Sequence, residues 1–261
     1  MKSNGYKNYL KRIKRNNILV LITQILLIVF FFVIWQFLAD KGKVNTFLVS
    51  SPNKVFDTII DLFKKGELFK HINRTVYEIL ISFILGNLIG LVFASILWFN
   101  KFLSRVFEPF LNILNSLPKV ALGPLIIVCF GANLKSIIIM SLLISSIISI
   151  INIHNAFKTT DLNKIKIVSS MGGNKLDIYR RVVFPSNIPS IIESFKINVS
   201  MCFIGVIMGE FLVSKEGIGY LIIYGSQVFN MNLVITGIVL LVVLTIILYY
   251  LVNLFEKISR R

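Results

Sequence analysis

Four ionisable side chains interrupt long apolar runs in this sequence: Glu78, Glu193, Lys196 and Glu210. A charge at that depth is costly in hydrocarbon, so each must find a partner, a proton or a water-filled path. Glu193 and Lys196 stand three residues apart and can meet on one helical face. Lys196, about two turns from the polar end of its run, can equally extend its stem to reach water. Glu210 has no basic residue three or four positions before it, and Lys215 lies beyond the run. Two placements are open for it: a carboxylate held by protein inside the membrane, or one in water at the outer interface. None of these groups comes with catalytic machinery. The chain has no G-x-x-x-x-G-K-[ST] phosphate loop, no H-E-x-x-H, no C-x-x-C and no G-x-S-x-G. Of the two histidines, His154 at a helix end reads as a capping or interfacial residue. Cys129 and Cys202 lie inside apolar runs and read as small buried hydrophobes, not as a disulfide or metal pair. Charge at depth without a nucleophile is the chemistry of binding and passage, not of bond making.

The elements that must position these groups are membrane helices. The 261 residues are 56% hydrophobic and 15% charged, with a mean hydropathy of +0.80. Several runs exceed the ~18 apolar residues that cross a bilayer core. The fold class is therefore all-α and polytopic, and the net charge of +16 is a topology signal instead of a nucleic-acid footprint. Lys and Arg in the loops lead to the expectation that both termini are cytoplasmic, and richness in Lys, Asn and Ile suggests an AT-rich bacterial genome. Residues 1–17 form a basic cytoplasmic segment, and the run after them is too long for a signal peptide and lacks a small-residue cleavage site. Six spans are expected, near 18–38, 76–99, 106–130, 134–153, 188–213 and 233–255. Residues 39–75 read as an extracellular, interfacial segment, with Val55, Ile59, Leu62 and Phe63 on one face of an amphipathic helix. Its seven basic residues run against the positive-inside rule, and four acidic residues accompany them. Span two holds Gly86 and Gly90, a small-xxx-small spacing that lets two helix backbones approach. Span three carries Pro109, Pro118, Gly123 and Pro124, and such a break survives in a membrane only where protein or a cavity satisfies the freed carbonyls.

The long polar interruption within the apolar part of the chain runs from Lys158 to Pro189. Its signals are those of two short helices with a bend. Thr160 or Asp161 can cap the first. Gly172 and Gly173 end it, because Gly takes the left-handed conformation without a Cβ clash. Asn174 restarts the chain with Asp177 three residues on, a variant of the capping box. The second helix is expected to stop at Phe184-Pro185, since Pro disfavours helical geometry in the residue before it.

Three motif blocks, in order, carry a resemblance. Gly172, then nine residues, then Val182-Val183-Phe184-Pro185 is similar to the "EAA" loop of ATP-binding-cassette (ABC) importer permeases, E-A-A, three residues, Gly, nine residues, I-x-L-P. By that alignment the triplet falls on Lys166, Ile167 and Val168, so Glu-Ala-Ala is absent and a Lys stands at the Glu. Pro118, Ala121, Leu122, Pro124, Leu125, Phe130 and Gly131 resemble the family's P-x-x-A-L-x-P-L-x-x-x-x-F-G segment. Lys196, Glu210 and Gly217-Ile218-Gly219-Tyr220 resemble its basic residue, Glu and G-L-G-Y. Before these blocks, Phe47-Leu48, Pro52, Val55 and Gly66-Glu67-Leu68 resemble the pre-core segment of the nitrate/sulfonate/taurine branch of these permeases.

The resemblance implies a type I importer permease with a MetI-like fold, a transmembrane domain over 76–256 and a cytoplasmic coupling loop over 158–186. It implies an ABC ATPase that holds the ATP and Mg, with no cofactor on this chain. It also implies a second permease subunit, expected as a homodimer, and an extracellular solute-binding protein. Lys166, Ile167, Val168, Gly172, Val182, Phe184 and Pro185 would form the coupling surface. Pro118, Pro124, Lys196, Glu210, Gly217 and Gly219 are the pathway and gating candidates. The cargo expected is a small organic anion, with a thiamine-precursor pyrimidine as the alternative. Two other architectures stay in view. The transmembrane subunit of an energy-coupling-factor transporter would carry short Ala-Arg-Gly motifs, which are missing, and an uncoupled secondary transporter would show internal repeats.

Overall fold

The structure, a computed structural model, describes residues 4–43 and 45–259, and these hold helices and no strand. Helix α1 (Asn4–Asp40) contains the first expected span, whose largely apolar surface over 18–34 is exposed, Leu26, Leu27, Phe30 and Phe31 among it. A short α2 (Thr46–Val49) leads to α3 (Pro52–Lys64), which starts where the Ser51 side chain accepts from the Lys54 N–H and Pro52 occupies the first turn. The apolar face expected to lie on the membrane surface packs on protein instead. Val55 and Leu62 are buried, Leu62 clusters with Leu68, Leu221 and Leu233, and only Phe63 turns outward.

Helix α4 (Glu67–Phe99) begins nine residues before the expected start of span two, at Gly66 with φ +72°. Nothing between Glu67 and Thr75 breaks a helix, and its buried face already includes Leu68, His71 and Thr75. Span three is not one rod. Helices α5 (Lys101–Ser116) and α6 (Gly123–Phe130) are joined by a 3₁₀ turn over Lys119–Leu122, and the two halves meet at 87°. Leu117, immediately before Pro118, is extended at φ −66° and ψ 140°, as a residue before proline prefers. Pro124 then sits in the first turn of α6. Cys129 lies on the exposed side of α6, because that helix packs through Gly123 and Ile126; Cys202 is buried as expected.

Helix α7 (Leu134–Lys158) runs beyond the expected end at 153, so His154 is no interfacial cap. It is buried, and its Nε2 lies 2.8 Å from the Ser104 hydroxyl of α5. After α8 (Leu162–Ser170), the one-turn α9 (Lys175–Ile178) passes through a π-turn over Tyr179–Val183 directly into α10 (Phe184–Val213). The second loop helix therefore does not stop at Pro185. The wide turn, in which the Phe184 N–H reaches the Tyr179 carbonyl, shifts the backbone register just where Pro185 brings its ring and no N–H. Helices α11 (Ile218–Gln227) and α12 (Met231–Ser259) complete the described chain. Among the described residues, five helices are long and apolar enough to cross a membrane, or six if the bent α5–α6 pair is one span.

The centre of the fold is the contact of α4, α7 and α10. Ser141, Ser145 and Ser149 lie four residues apart on α7, and all three are buried. Gly86 and Gly90 of α4 face Ser145 and Ser149, so the small-xxx-small spacing is a packing seam. Gly205 and Gly209 of α10 face the backbone of Ser141 and Ile137. Across the seam, Asn198 Nδ2 donates to Asn87 Oδ1 at 2.8 Å. Small residues here let backbones meet where lipid supplies no hydrophobic drive for helix association.

Candidate functional site

At one end of the bundle stands the polar loop. Asp161, not Thr160, caps α8 by accepting from the Asn163 N–H at 2.8 Å. Thr160 has another role, taking a 2.7 Å hydrogen bond from Asn187 Nδ2 and so tying the loop's start to α10. Gly172 takes φ +82°, and the Gly173 N–H returns to the Val168 carbonyl, closing α8 with a left-handed cap. The capping box is complete, with the Asp177 N–H donating to Asn174 Oδ1 and the Asn174 N–H to Asp177 Oδ2.

Tyr179 seats this loop on the helices below it. Its ring meets Trp98 and Phe99 of α4, Phe157 of α7 and Phe184 of α10, with centroids between 5.0 and 6.0 Å apart. Its hydroxyl lies 2.7 Å from Ser95 Oγ. Lys175 Nζ also donates to the Phe99 carbonyl. Val182 and Val183 are buried, Phe184 and Val168 are half-buried, and Lys166, Ile167 and Pro185 are exposed. The loop is thus fixed at its root and bare at its tip. Tyr179 was not among the residues the motifs pointed to; an aromatic beside Arg180 and Arg181 in a polar loop was the available signal.

At the opposite end is a buried carboxylate. Glu210 is 0% exposed, which removes the placement in water at an interface. Thr75 Oγ1 donates to its Oε1 at 2.6 Å, and the Gly219 N–H donates to its Oε2 at 2.5 Å. The same Thr75 oxygen accepts from the Ile218 N–H at 2.8 Å, and His71 Nδ1 accepts from the Gly217 N–H at 3.0 Å. Gly217 has φ +115°, and a Cβ there would run into the Glu210 carboxylate. The turn between α10 and α11 is therefore wrapped around one side chain and held to α4. Glu78, also buried, accepts from Arg74 Nε at 2.7 Å. Outside the spans, the Glu216 carboxyl is held below its ordinary pKa by the hydrogen bond from Lys70, 3.0 Å away.

The structure brings Glu210, Gly217 and Gly219 into one site. It leaves the other pathway candidates apart from them. Lys196, half-buried, donates to Asn253 Oδ1 of α12 at 3.1 Å, while Glu193 is exposed on α10. Pro118 and Pro124 flank the α5–α6 bend, where Gly123 meets Leu212 of α10. Among the described residues no group of three or more His, Cys, Asp or Glu could hold a metal ion.

A membrane helix bundle with a capped polar loop at one end invites comparison with transporter subunits. Residues 86–261 match the family described as binding-protein-dependent transport system inner membrane component. The chain belongs to that family. The permease is 26% identical, over 86% of its length and 81% of the relative's, to the aliphatic sulfonates transport permease protein SsuC of Bacillus subtilis. It is 27% identical, over 72% of its length and 74% of the relative's, to the formylaminopyrimidine transport permease protein ThiX of Halalkalibacterium halodurans. Its fold is that of a chain in the inward-facing MetNI methionine ABC transporter, with a TM-score of 0.68 at 20% identity, over 76% of the permease and 98% of that chain. The nitrate/sulfonate-type resemblance and the MetI-like fold expected from the motifs both stand.

Proposed function

We propose that this permease forms one half of the pathway of an ABC importer and takes up the movement of a separate ATPase through the loop over 158–186. The observation that carries this reading is the loop's construction, a bare apolar and basic tip on a root locked into α4, α7 and α10 by Tyr179. A tip joined to the bundle in that way moves with it. ATP is hydrolysed on the partner chain, and an external solute-binding protein delivers the cargo. The second half of the pathway is another copy of this chain. In support, α5 has no buried residue and bares Phe102, Phe107, Phe110 and Ile113. Pro118 and Pro124 at the bend, and Gly217 and Gly219 around Glu210, act as gating elements; Lys196 gives weak attraction to an anion near the loop end.

The orientation follows from the basic loop tip, with the loop and both termini in the cytoplasm. Single cysteines at Lys164 and Met171, both exposed, are expected to react only with reagent supplied from inside and to crosslink to the ATPase. Labelling of intact cells from outside would reverse the topology.

Gly172→Val is expected to insert normally and to lower transport at least tenfold. A Cβ at this position meets nothing within 4 Å, so the cost is backbone strain alone. For a residue with a Cβ the left-handed conformation costs about 1–2 kcal/mol, enough to unseat the cap that aims the tip. Gly172→Asn, which tolerates φ > 0, should retain most transport. Equal uptake by the Val variant and wild type would show that the bend does not matter.

The cargo is a small organic anion of the sulfonate class, supported by the similarity to the sulfonate permease. The pyrimidine permease supports the second reading. Calorimetry on the partner solute-binding protein separates them: tight binding of an alkyl sulfonate is expected, and tight binding of a pyrimidine with none of any sulfonate refutes the anion.

A further inference from the structure

The position where the family signature has Glu is Lys166, and the structure gives that inversion a place. Successive residues of α8 are ~100° apart around its axis. Ile165 packs into the cluster of Phe157, Val183 and Ile191, and Val168 lies against Gly173. With those two inward, Asn163, Lys166, Ile167 and Ser170 form the face turned away from the bundle, and all four are exposed. Ile167 beside Lys166 is 61% exposed, and Met171 at the helix end is 82% exposed. Lys166 therefore stands on the outward face of α8, exposed beside Ile167 and with Asn163 and Ser170 on the same face. Among the described residues neither Lys166 nor Lys164 forms an ion pair.

An ammonium enclosed in a docked interface loses its water. Without an opposite charge that loss is strongly unfavourable, so the receiving surface must supply a carboxylate. A surface suited to Glu at this position would repel Lys, and one suited to Lys would repel Glu. Such mutual repulsion discriminates between partners in addition to any added attraction. We propose that Lys166 selects the ATPase by charge: the cognate ATPase carries a carboxylate in the groove that receives α8, beside apolar seats for Ile167 and Met171. This rests on the reading that the loop docks on an ATPase. The apolar neighbours at the tip favour a protein groove over an anionic lipid surface, which would draw on the lysines alone.

The test is co-purification and coupled ATPase activity of the full complex in nanodiscs, with and without anionic lipid. Lys166→Arg is expected to behave as wild type, Lys166→Ala to lose a few-fold, and Lys166→Glu to lose at least tenfold in both readouts. Reversing one groove carboxylate of the ATPase to Lys should restore Lys166→Glu and weaken the wild-type pairing. The proposal is overturned if Lys166→Glu couples as wild type, if no groove reversal restores it, or if its defect disappears in neutral lipid, which would put Lys166 on headgroups. Failure of the wild-type chain to bind the ATPase at all would overturn the coupling reading itself, and this proposal with it.

Discussion

Glu210→Ala is expected to abolish uptake and to lower the yield of folded permease several-fold. The substitution removes the acceptor of the Thr75 hydroxyl and of the Gly219 N–H, both buried. A buried donor left without a partner costs about 1–3 kcal/mol. Two of them consume a large part of the ~5–15 kcal/mol that keeps a typical domain folded. The effect is concentrated in the α10–α11 turn, because Gly217, Ile218 and Gly219 are all held by Glu210, Thr75 or His71. Glu210→Gln keeps one carbonyl acceptor and so should fold, with reduced uptake. Limited proteolysis at the α10–α11 turn, run beside uptake assays, checks both. Wild-type uptake by Glu210→Ala would mean that the turn needs no anchor.

Gly205→Ile is expected to be at least as damaging, and for a different reason. A Cβ at Gly205 would meet the Ser141 Cα, which is backbone and has no rotamer with which to move aside. Overpacking of a filled core costs typically 1–3 kcal/mol, occasionally more. Here the added bulk must part α10 from α7, the two helices that share the serine and glycine seam. Most of the variant should run as aggregate on size exclusion in detergent. Ile204→Phe, one residue away on the exposed side of the same helix, should remain monodisperse. Intact Gly205→Ile would show that the seam has room that its geometry denies.

The helices and caps were legible because their causes are local. Asn174 and Asp177 form a capping box from side chains three residues apart, and Gly172 adopts the conformation only glycine takes freely. The motif order fixed the family for the same reason, since spacing along a chain needs no tertiary information. What escaped depends on neighbours distant in sequence. Pro185 reads as a stop, yet the π-turn before it is supported by Tyr179, whose ring partners come from three other helices. Thr75 was an unremarked hydroxyl at the edge of a span, and it meets Glu210 across 135 residues. His154 reads as interfacial until Ser104 is found beside it. Polar side chains inside apolar runs, among them Asn87 and Asn198, were the available clue, and the seam is where they converge.

The central claim is that this permease couples a separate ATPase to uptake through the loop over 158–186. Reconstitution in proteoliposomes with the ATPase and the cargo-loaded solute-binding protein tests it most directly. ATP hydrolysis should rise severalfold when loaded binding protein is added and should fall to the basal rate with Gly172→Val. Uptake that proceeds without the ATPase, or hydrolysis indifferent to this chain, would contradict it.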